Sequence, residues 1–418
     1  MTSLTIDDLS LPHFVNSRQI GMVGNTPLTV TDAINAAQVV RNNVFVAGKK
    51  GAGKTQLLFD MRSRYGERGL IIEGRPDLKA DELFKQINLQ KLREGATSDE
   101  VYQLAQSVKS RFLGVDELNR APEVTQNELL SIMNGYILHK GAPVYLGDGF
   151  SVGIGTGNLG NGGYVGTFRI DDALADRLHL FLDLDYWKPT DEDMALIDRR
   201  GKADPRVKKS ESRDISDKIV EAHRMINAKP TPLEMSIAGR YLERALDYCK
   251  KFPAAEHSKD NLKEAWPAVC TQTGCKLKNT YCARVKSVGQ RTVEAAQSLA
   301  KGLQYIAGLK NSQAKDDPLG AMLLAVRLML PYSGVISPAY LREEGNFNNP
   351  NLAARNLATD LEQEINAQFS SGRKPGQLTR SLAYAQQGKL DQMPYEAKPE
   401  WRFAGRLLER INEENKKP

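Results

Sequence analysis

Val44-Phe45-Val46-Ala47-Gly48-Lys49-Lys50-Gly51-Ala52-Gly53-Lys54-Thr55 is the stretch from which the rest of the chain can be read. Gly48 to Thr55 fits G-x-x-x-x-G-K-[ST], the phosphate-cradling loop of ATP- and GTP-binding proteins. Its flanks carry more weight than the string. Val44 to Ala47 is a short apolar run that reads as a buried strand. Thr55 to Tyr65 places Leu57, Leu58 and Met61 at helical spacing. Strand, glycine loop, helix is the context this motif requires. Gly48, Gly51 and Gly53 let backbone N–H groups, with those of Lys49, Lys50, Ala52 and Gln56, turn towards an anion at a helix N-terminus. Lys54 is expected to reach the β- and γ-phosphates, and the Thr55 hydroxyl to ligate Mg²⁺.

Working outward, 418 residues exceed one typical core, so two or three domains are expected. Apolar residues make up 41% and charged residues 26%, the composition of a globular protein. No apolar run reaches the roughly 18 residues of a membrane span. The start, MTSLTIDDLSLPHF, carries acids and lacks the basic-then-apolar order of a signal peptide, so a cytoplasmic location is expected. A net charge of +6 permits nucleic-acid contact without arguing for it.

Ahead of the loop, residues 1 to about 40 read as a lead-in, with a helix from Thr29 to Arg41 capped by Thr31 or Asp32. After it, Gly69 to Glu73 reads as a second strand. Residues 74–110, including Asp81 to Leu92, are charged and periodic, which predicts helices or a helical insertion. Phe112 to Val115 is a third strand, ending at Asp116-Glu117. An acidic pair at a strand end, downstream of a phosphate loop, is the second half of an ATP hydrolysis site. Asp116 is assigned to the Mg²⁺ shell and Glu117 to orienting and deprotonating the attacking water. Gln126 to Gly135 reads as an amphipathic helix and Tyr136 to Val152 as a hairpin. The strand from Phe150 to Gly155 leads into Thr156-Gly157-Asn158. Asn158 would stand beside Glu117 and the γ-phosphate if these strands are neighbours; the alternative is an ordinary Asn in a glycine-rich loop. A last strand follows at Leu178 to Leu184. The pattern predicts an α/β fold, a P-loop parallel sheet of the ASCE type with helices on both faces over residues 20–187, after a lead-in over 1–19.

These residues resemble the AAA+ ATPases, and among them the MoxR-like group. Asp116 to Pro122 reads DELNRAP, where the family shows D-E-[IL]-N-R-A-P. Gly166 to Leu178 reads GTFRIDDALADRL, where the family shows G-T-[YF]-x-[LI]-x-x-A-x-x-D-R-[FL]. Arg291, in VGQRTVEAAQSLA, is similar to the sensor 2 arginine that opens a lid helix. The resemblance covers about residues 20–310, and Lys50 stands at the family's usual proline. It implies a homo-hexameric ring with ATP bound between subunits. Arg177 would then act as an arginine finger on the neighbour's γ-phosphate, with Arg169 a weaker candidate, and Arg291 on the subunit's own nucleotide. The alternatives are an ion pair of Arg177 with Asp172 or Asp176, and a surface role for Arg291. The partner class the family implies is a client or adaptor protein, such as one carrying a von Willebrand A domain, remodelled or matured by the ring.

In the second half, residues 189–213 are polar and basic from Arg199 to Arg213, a solvated connector or a patch for an acidic partner or nucleic acid. Helical spacing over Ile215 to Asn227, Pro232 to Lys251 and Gln290 to Ala307 predicts an all-α lid over residues 188–311. Residues 312–418 read as a helical C-terminal extension. All four cysteines, Cys249, Cys270, Cys275 and Cys282, fall inside the lid. Their concentration suggests Zn²⁺ or an Fe–S cluster, with His257 a substitute ligand; buried free thiols and redox pairing are the alternatives, and no C-x-x-C pair is present. The expected function is therefore Mg²⁺-dependent ATP hydrolysis. A nucleic-acid motor is one rival, without a stacking-aromatic cluster to support it. An ATP-binding structural or switch module is the other.

Overall fold

Buried parallel strands read as continuous apolar runs because both faces are covered, and five such runs build the central sheet of the computed structural model. The structure describes residues 3–79, 85–87, 102–104, 106–122, 125–126, 129, 132–139, 141–158, 177–200, 207–245, 284–285, 288–371, 374–398 and 401–416. It falls into two compact units, residues 1–230 with 298–317, and residues 231–297 with 318–418.

In the first unit, strands β1 (Gln19–Val23) and β2 (Thr26–Thr29) form an antiparallel hairpin that feeds helix α1 (Val30–Val39). Strand β3 (Val44–Ala47) is buried at every residue and leads through the glycine loop into helix α2 (Lys54–Ser63). Strand β4 (Gly69–Glu73) follows, then a short antiparallel pair, β5 (Lys85–Ile87) with β6 (Tyr102–Leu104). Next come β7 (Phe112–Asp116), the hairpin of β8 (Tyr136–His139) and β9 (Ala142–Tyr145), then β10 (Val152–Gly157) and β11 (Leu180–Asp183). The sheet order is β11-β3-β10-β7-β4, with every pairing parallel. Strand β10 thus separates the strand that enters the glycine loop from the one that ends in Asp116.

Several expectations change here. Between β4 and β7 the described residues hold the β5/β6 pair and a 3₁₀ turn at Gln106–Lys109, and the rest of the stretch expected to be helical, most of Asp81 to Leu92 included, lies outside the described residues. Apolar spacing over so short a charged run as Lys85–Ile87 does not separate strand from helix, and pairing with a distant strand decided it. The cap of α1 is Thr29, whose side chain accepts from the Asp32 N–H while the Asp32 carboxylate accepts from the Thr29 N–H, a reciprocal capping box; neither Thr31 nor Asp32 is the cap. The connector after β11 carries its own helix, Asp191–Arg199, closed by the same device at Thr190 and Asp193. Helix Ser216–Ala228, expected in the lid, belongs to the first unit, where His223 Nδ1 meets the Val39 carbonyl of α1 at 3.0 Å.

The second unit is mainly helical in its described part, with Leu233–Ala245, Pro318–Met329, Pro350–Phe369, Gln377–Ala385 and Arg402–Lys416, and one short antiparallel pair, Ser370–Ser371 with Lys374–Pro375. Tyr241 and Trp401, both fully buried, stack at 4.4 Å between ring centroids. Arg284 pairs with Asp360 and lies over the Tyr340 ring at 5.3 Å. Helix Gln290–Lys310 divides at residue 298, its earlier residues counting with this unit.

Candidate active site

The glycine loop takes its shape from two left-handed residues, Gly51 at φ +89° and Gly53 at φ +82°, a region that side chains with a Cβ rarely enter. Gly53 occupies the cap position of α2 and no side chain caps it, so the first N–H groups of α2 point out from the loop as an anion cradle. Lys54 is only 8% exposed, and its Nζ donates to the Gly48 carbonyl at 2.6 Å, the Lys49 carbonyl at 3.0 Å and Asn158 Oδ1 at 3.0 Å. Burial pushes the Lys54 ammonium below its ordinary pKa, and the Asp116, Glu117 and Asp185 carboxylates oppose that shift. Lys49 and Lys50 are exposed on the loop's outer side.

The carboxylate side is built on β7 and β10. Thr55 Oγ1 donates to Asp116 Oδ2 at 2.7 Å, and Thr156 Oγ1 donates to Asp116 Oδ1. The same Thr156 oxygen accepts from the Glu117 N–H at 3.1 Å. Thr156 is fully buried, and one hydroxyl therefore holds both members of the acidic pair from the neighbouring strand. The remainder of DELNR is equally employed. Leu118 is fully buried, and Asn119 Nδ2 donates to the Asn158 carbonyl at 3.1 Å, fixing the end of β10. Arg120 Nε donates to Glu117 Oε2 at 2.7 Å. Gly74, after β4, donates its N–H to the Asp116 carbonyl at 2.7 Å, and a Cβ there would lie 2.3 Å from the Glu117 carbonyl oxygen. The acidic turn fits only because residue 74 is glycine.

A second layer anchors α2 from behind. Asp60, fully buried, accepts from the His13 N–H at 2.8 Å and the Phe14 N–H at 2.7 Å, and from the Ser210 hydroxyl. Gln56 exchanges hydrogen bonds with the Lys208 backbone, at 3.0 and 2.8 Å, and reaches Asp60. The Gln56 side chain is thus a strap for α2, leaving only its backbone for a phosphate. Arg64, fully buried, donates to Asn35, Gln38 and the Leu9 carbonyl, and burial lowers its pKa to about 10.

The structure therefore brings together Gly48 to Gln56, Asp116, Glu117 and Asn158. It does not bring Arg177 to them. Arg177 precedes β11, whose Leu180 pairs with Val44 and whose Asp183 pairs with Ala47. The glycine loop leaves the far end of those strands, so at least about 10 Å of sheet, at ~3.3 Å per residue, separates the two. Arg291 is exposed at the start of its helix and belongs to the second unit. Cys249, Cys270, Cys275, Cys282 and His257 lie outside the described residues, as do Arg169, Asp172 and Asp176. Among the described residues no group of three or more His, Cys, Asp and Glu side chains could hold a metal, and nothing supports the Zn²⁺ or Fe–S option.

Thr156, Asn119, Arg120, Gly74 and Asp185 complete the site beyond the residues read from the sequence. Asn119 and Arg120 sit inside a quoted motif, which was a signal; Thr156, Gly74 and Asp185 needed the strand order. The donor set suits a triphosphate with its Mg²⁺. Thr55 and Asp116 offer hard oxygen donors within 2.7 Å of each other, and Lys54 Nζ is held at the loop by the Gly48 and Lys49 carbonyls.

A parallel sheet in which a third strand separates the glycine-loop strand from the acidic strand, with a polar residue at that third strand's end, defines a P-loop ATPase. Residues 43–178 match the family model of the AAA domain, dynein-related subfamily. Among solved structures, a candidate ATPase from Cytophaga hutchinsonii superimposes with a TM-score of 0.57 at 15% identity, over 86% of this chain and 92% of that one. A full-length MCM homolog from Methanopyrus kandleri gives a TM-score of 0.42 at 13% identity, over 72% of this chain and 55% of that one. At such identities the likeness of the first is one of fold, and the second carries no argument. No curated protein matches the chain. Residues 43–178 thus carry an AAA domain, in line with the resemblance to the AAA+ ATPases, and that domain supports ATP hydrolysis and implies ATP and Mg²⁺. No described helix is long and apolar enough to cross a membrane.

Proposed function

We propose that the chain works as a MoxR-like ring, expected to be a hexamer, that hydrolyses ATP between subunits and uses the rearrangement to remodel or mature a protein partner, with von Willebrand A domain proteins as the partner class. The observation that carries this reading is the distance between Arg177 and the chain's own glycine loop, which lie at opposite ends of the same strands. An arginine needed at the γ-phosphate has to come from elsewhere, and a neighbouring copy can supply it. In this reading the loop N–H groups and Lys54 bind the phosphates, and Thr55 and Asp116 hold the Mg²⁺. That ion neutralises charge on the phosphate oxygens. Glu117 takes the proton of the attacking water, Asn158 orients that water, and Arg291 touches the subunit's own nucleotide from the lid. Arg177 of the adjacent subunit spreads its charge over the transferring oxygens.

Complementation tests the shared site. Glu117→Gln and Arg177→Ala are each expected to lose nearly all turnover. Mixed, they recreate interfaces that pair an intact Glu117 with an intact Arg177, so activity should return. If the mixture, shown to co-assemble, stays as inactive as its parts, the shared-site reading is wrong.

A further inference from the structure

Away from the nucleotide site, one turn of the second unit holds an aromatic side chain out of the fold. Phe347 is 77% exposed, the highest value among the large apolar side chains described. Its backbone stands at φ +49° and ψ +32°, and Asn348 follows at φ +55°. Asn takes this left-handed region readily, whereas a bulky side chain there is an outlier. The turn is nevertheless firmly built. Asn346, 2% exposed, donates from Nδ2 to the Tyr340 carbonyl at 2.7 Å and accepts from Asn356 at 2.9 Å. The Asn348 N–H reaches the Leu341 carbonyl at 2.9 Å, and Asn349 caps helix Pro350–Phe369 through the Asn351 and Leu352 N–H groups. Folding alone would be served by Gly or Asn at position 347. A phenylalanine kept there, on strained backbone and in water, marks a place for contact. Glu343 and Glu344, both exposed, flank it.

A surface of opposite charge lies at the other end of the same helix. Helix Gln377–Ala385 starts there, with the Gly376 N–H and the Thr379 hydroxyl both donating to the Phe369 carbonyl, at 2.8 and 2.7 Å. It buries Leu378, Ser381, Leu382 and Ala385 and leaves Arg380 and Tyr384 exposed, four residues apart on one face. Exposed Lys389 follows, its N–H on the Tyr384 carbonyl at 2.9 Å. The 20 residues of helix Pro350–Phe369 span about 30 Å, so the acidic turn and the basic face of one chain are held apart. We propose that Phe347, flanked by Glu343 and Glu344, docks against Arg380, Tyr384 and Lys389 of a second copy of this chain. Phenylalanine against tyrosine forms the core of the contact, and the carboxylates meet the cations around it. Such a contact joins unlike surfaces head to tail and leaves each copy one of each for the next, the arrangement that closes into a ring. It takes from the ring reading only that copies associate, and uses no residue of the nucleotide site.

Sedimentation equilibrium of the full chain without nucleotide tests this apart from the shared ATP site. The wild-type chain should associate reversibly. Phe347→Asn, which suits the left-handed backbone, should weaken association about tenfold or more, the worth of one buried aromatic side chain. Its melting temperature, taken on the dilute chain, should hold or rise. Glu343→Lys with Glu344→Lys, or Arg380→Glu with Lys389→Glu, should weaken association as well, and a chain carrying all four reversals should recover it. If Phe347→Asn lowers the melting temperature, the charge reversals decide alone. A wild-type chain that stays monomeric, a stable Phe347→Asn chain that associates as wild type, or four reversals no better than two overturns the proposal. A failed complementation between Glu117→Gln and Arg177→Ala sinks the shared site and leaves this contact standing.

Discussion

Replacing Thr156 by Val isolates the one hydroxyl that ties Asp116 and Glu117, the carboxylates proposed to hold Mg²⁺ and to activate water, to a neighbouring strand. The two side chains have nearly the same shape, so packing inside β10 is kept and the hydrogen bonds go. The change removes the donor to Asp116 Oδ1 and the acceptor for the Glu117 N–H, in a residue that is 0% exposed. A bond to a charged group contributes about 1.5–3 kcal/mol and an orphaned donor costs about as much again when buried; both partners here are only partly buried, so water recovers some of it. A net loss of about 2 kcal/mol is the expectation, or roughly 30-fold in rate if it falls wholly on the transition state. Steady-state turnover titrated with Mg²⁺ at fixed ATP reads this out: kcat should fall and the Mg²⁺ requirement rise. Thr156→Ser, which restores the hydroxyl, should recover both, separating positioning from a packing defect. A Val variant with wild-type kcat and an unshifted Mg²⁺ titration would refute the argument that this hydroxyl organises the pair.

Two further outcomes follow from contacts behind and beside the site. Asp60→Ala removes the acceptor for the His13 and Phe14 N–H groups and the Ser210 hydroxyl, leaving several donors without their partner; unfolding in denaturant should show a loss of about 3 kcal/mol, and limited proteolysis should cut first near residues 10–16. Asp217 accepts from Arg68 and from Arg111, bonds that hold its carboxyl at about 2, below the ordinary 3.8. A depressed carboxylate stabilises the fold above its unfolded pKa, and that contribution disappears as pH falls through the folded value. Asp217→Asn should therefore lower stability at neutral pH by less than ~1 kcal/mol for so exposed a pair, read as a small drop in melting temperature. The gap to wild type should close between about pH 4 and pH 2; a gap that persists at low pH would assign the effect to something other than these ion pairs.

The chemistry of this chain was legible where function compresses it into contiguous residues. Gly48 to Thr55 and Asp116-Glu117 had to be spaced as they are because a loop must wrap one phosphate chain and a strand end must present adjacent carboxylates. The five sheet strands were visible because burial on both faces leaves an uninterrupted apolar run. The helices Ser216–Ala228 and Gln290–Lys310 showed through their periodicity. The β5/β6 pair was not legible because a three-residue strand has too few residues to display a period. Thr29 was passed over as a cap for its neighbours Thr31 and Asp32, since several capping residues stood together and only backbone geometry selects among them.

By itself, then, the sequence determined which residues form the glycine loop and which acidic pair ends a sheet strand, since those depend on local spacing. Only the tertiary structure decided the strand order. By inserting β10 between β3 and β7, it delivers Thr156 to Asp116 across 40 positions and Asn158 to Lys54 across 104. It also decided that Arg177 and the chain's own glycine loop lie at opposite ends of the same strands. Strands run parallel in register, so a residue before a strand and a loop after its neighbour lie at opposite ends of the sheet, whatever the sequence between them.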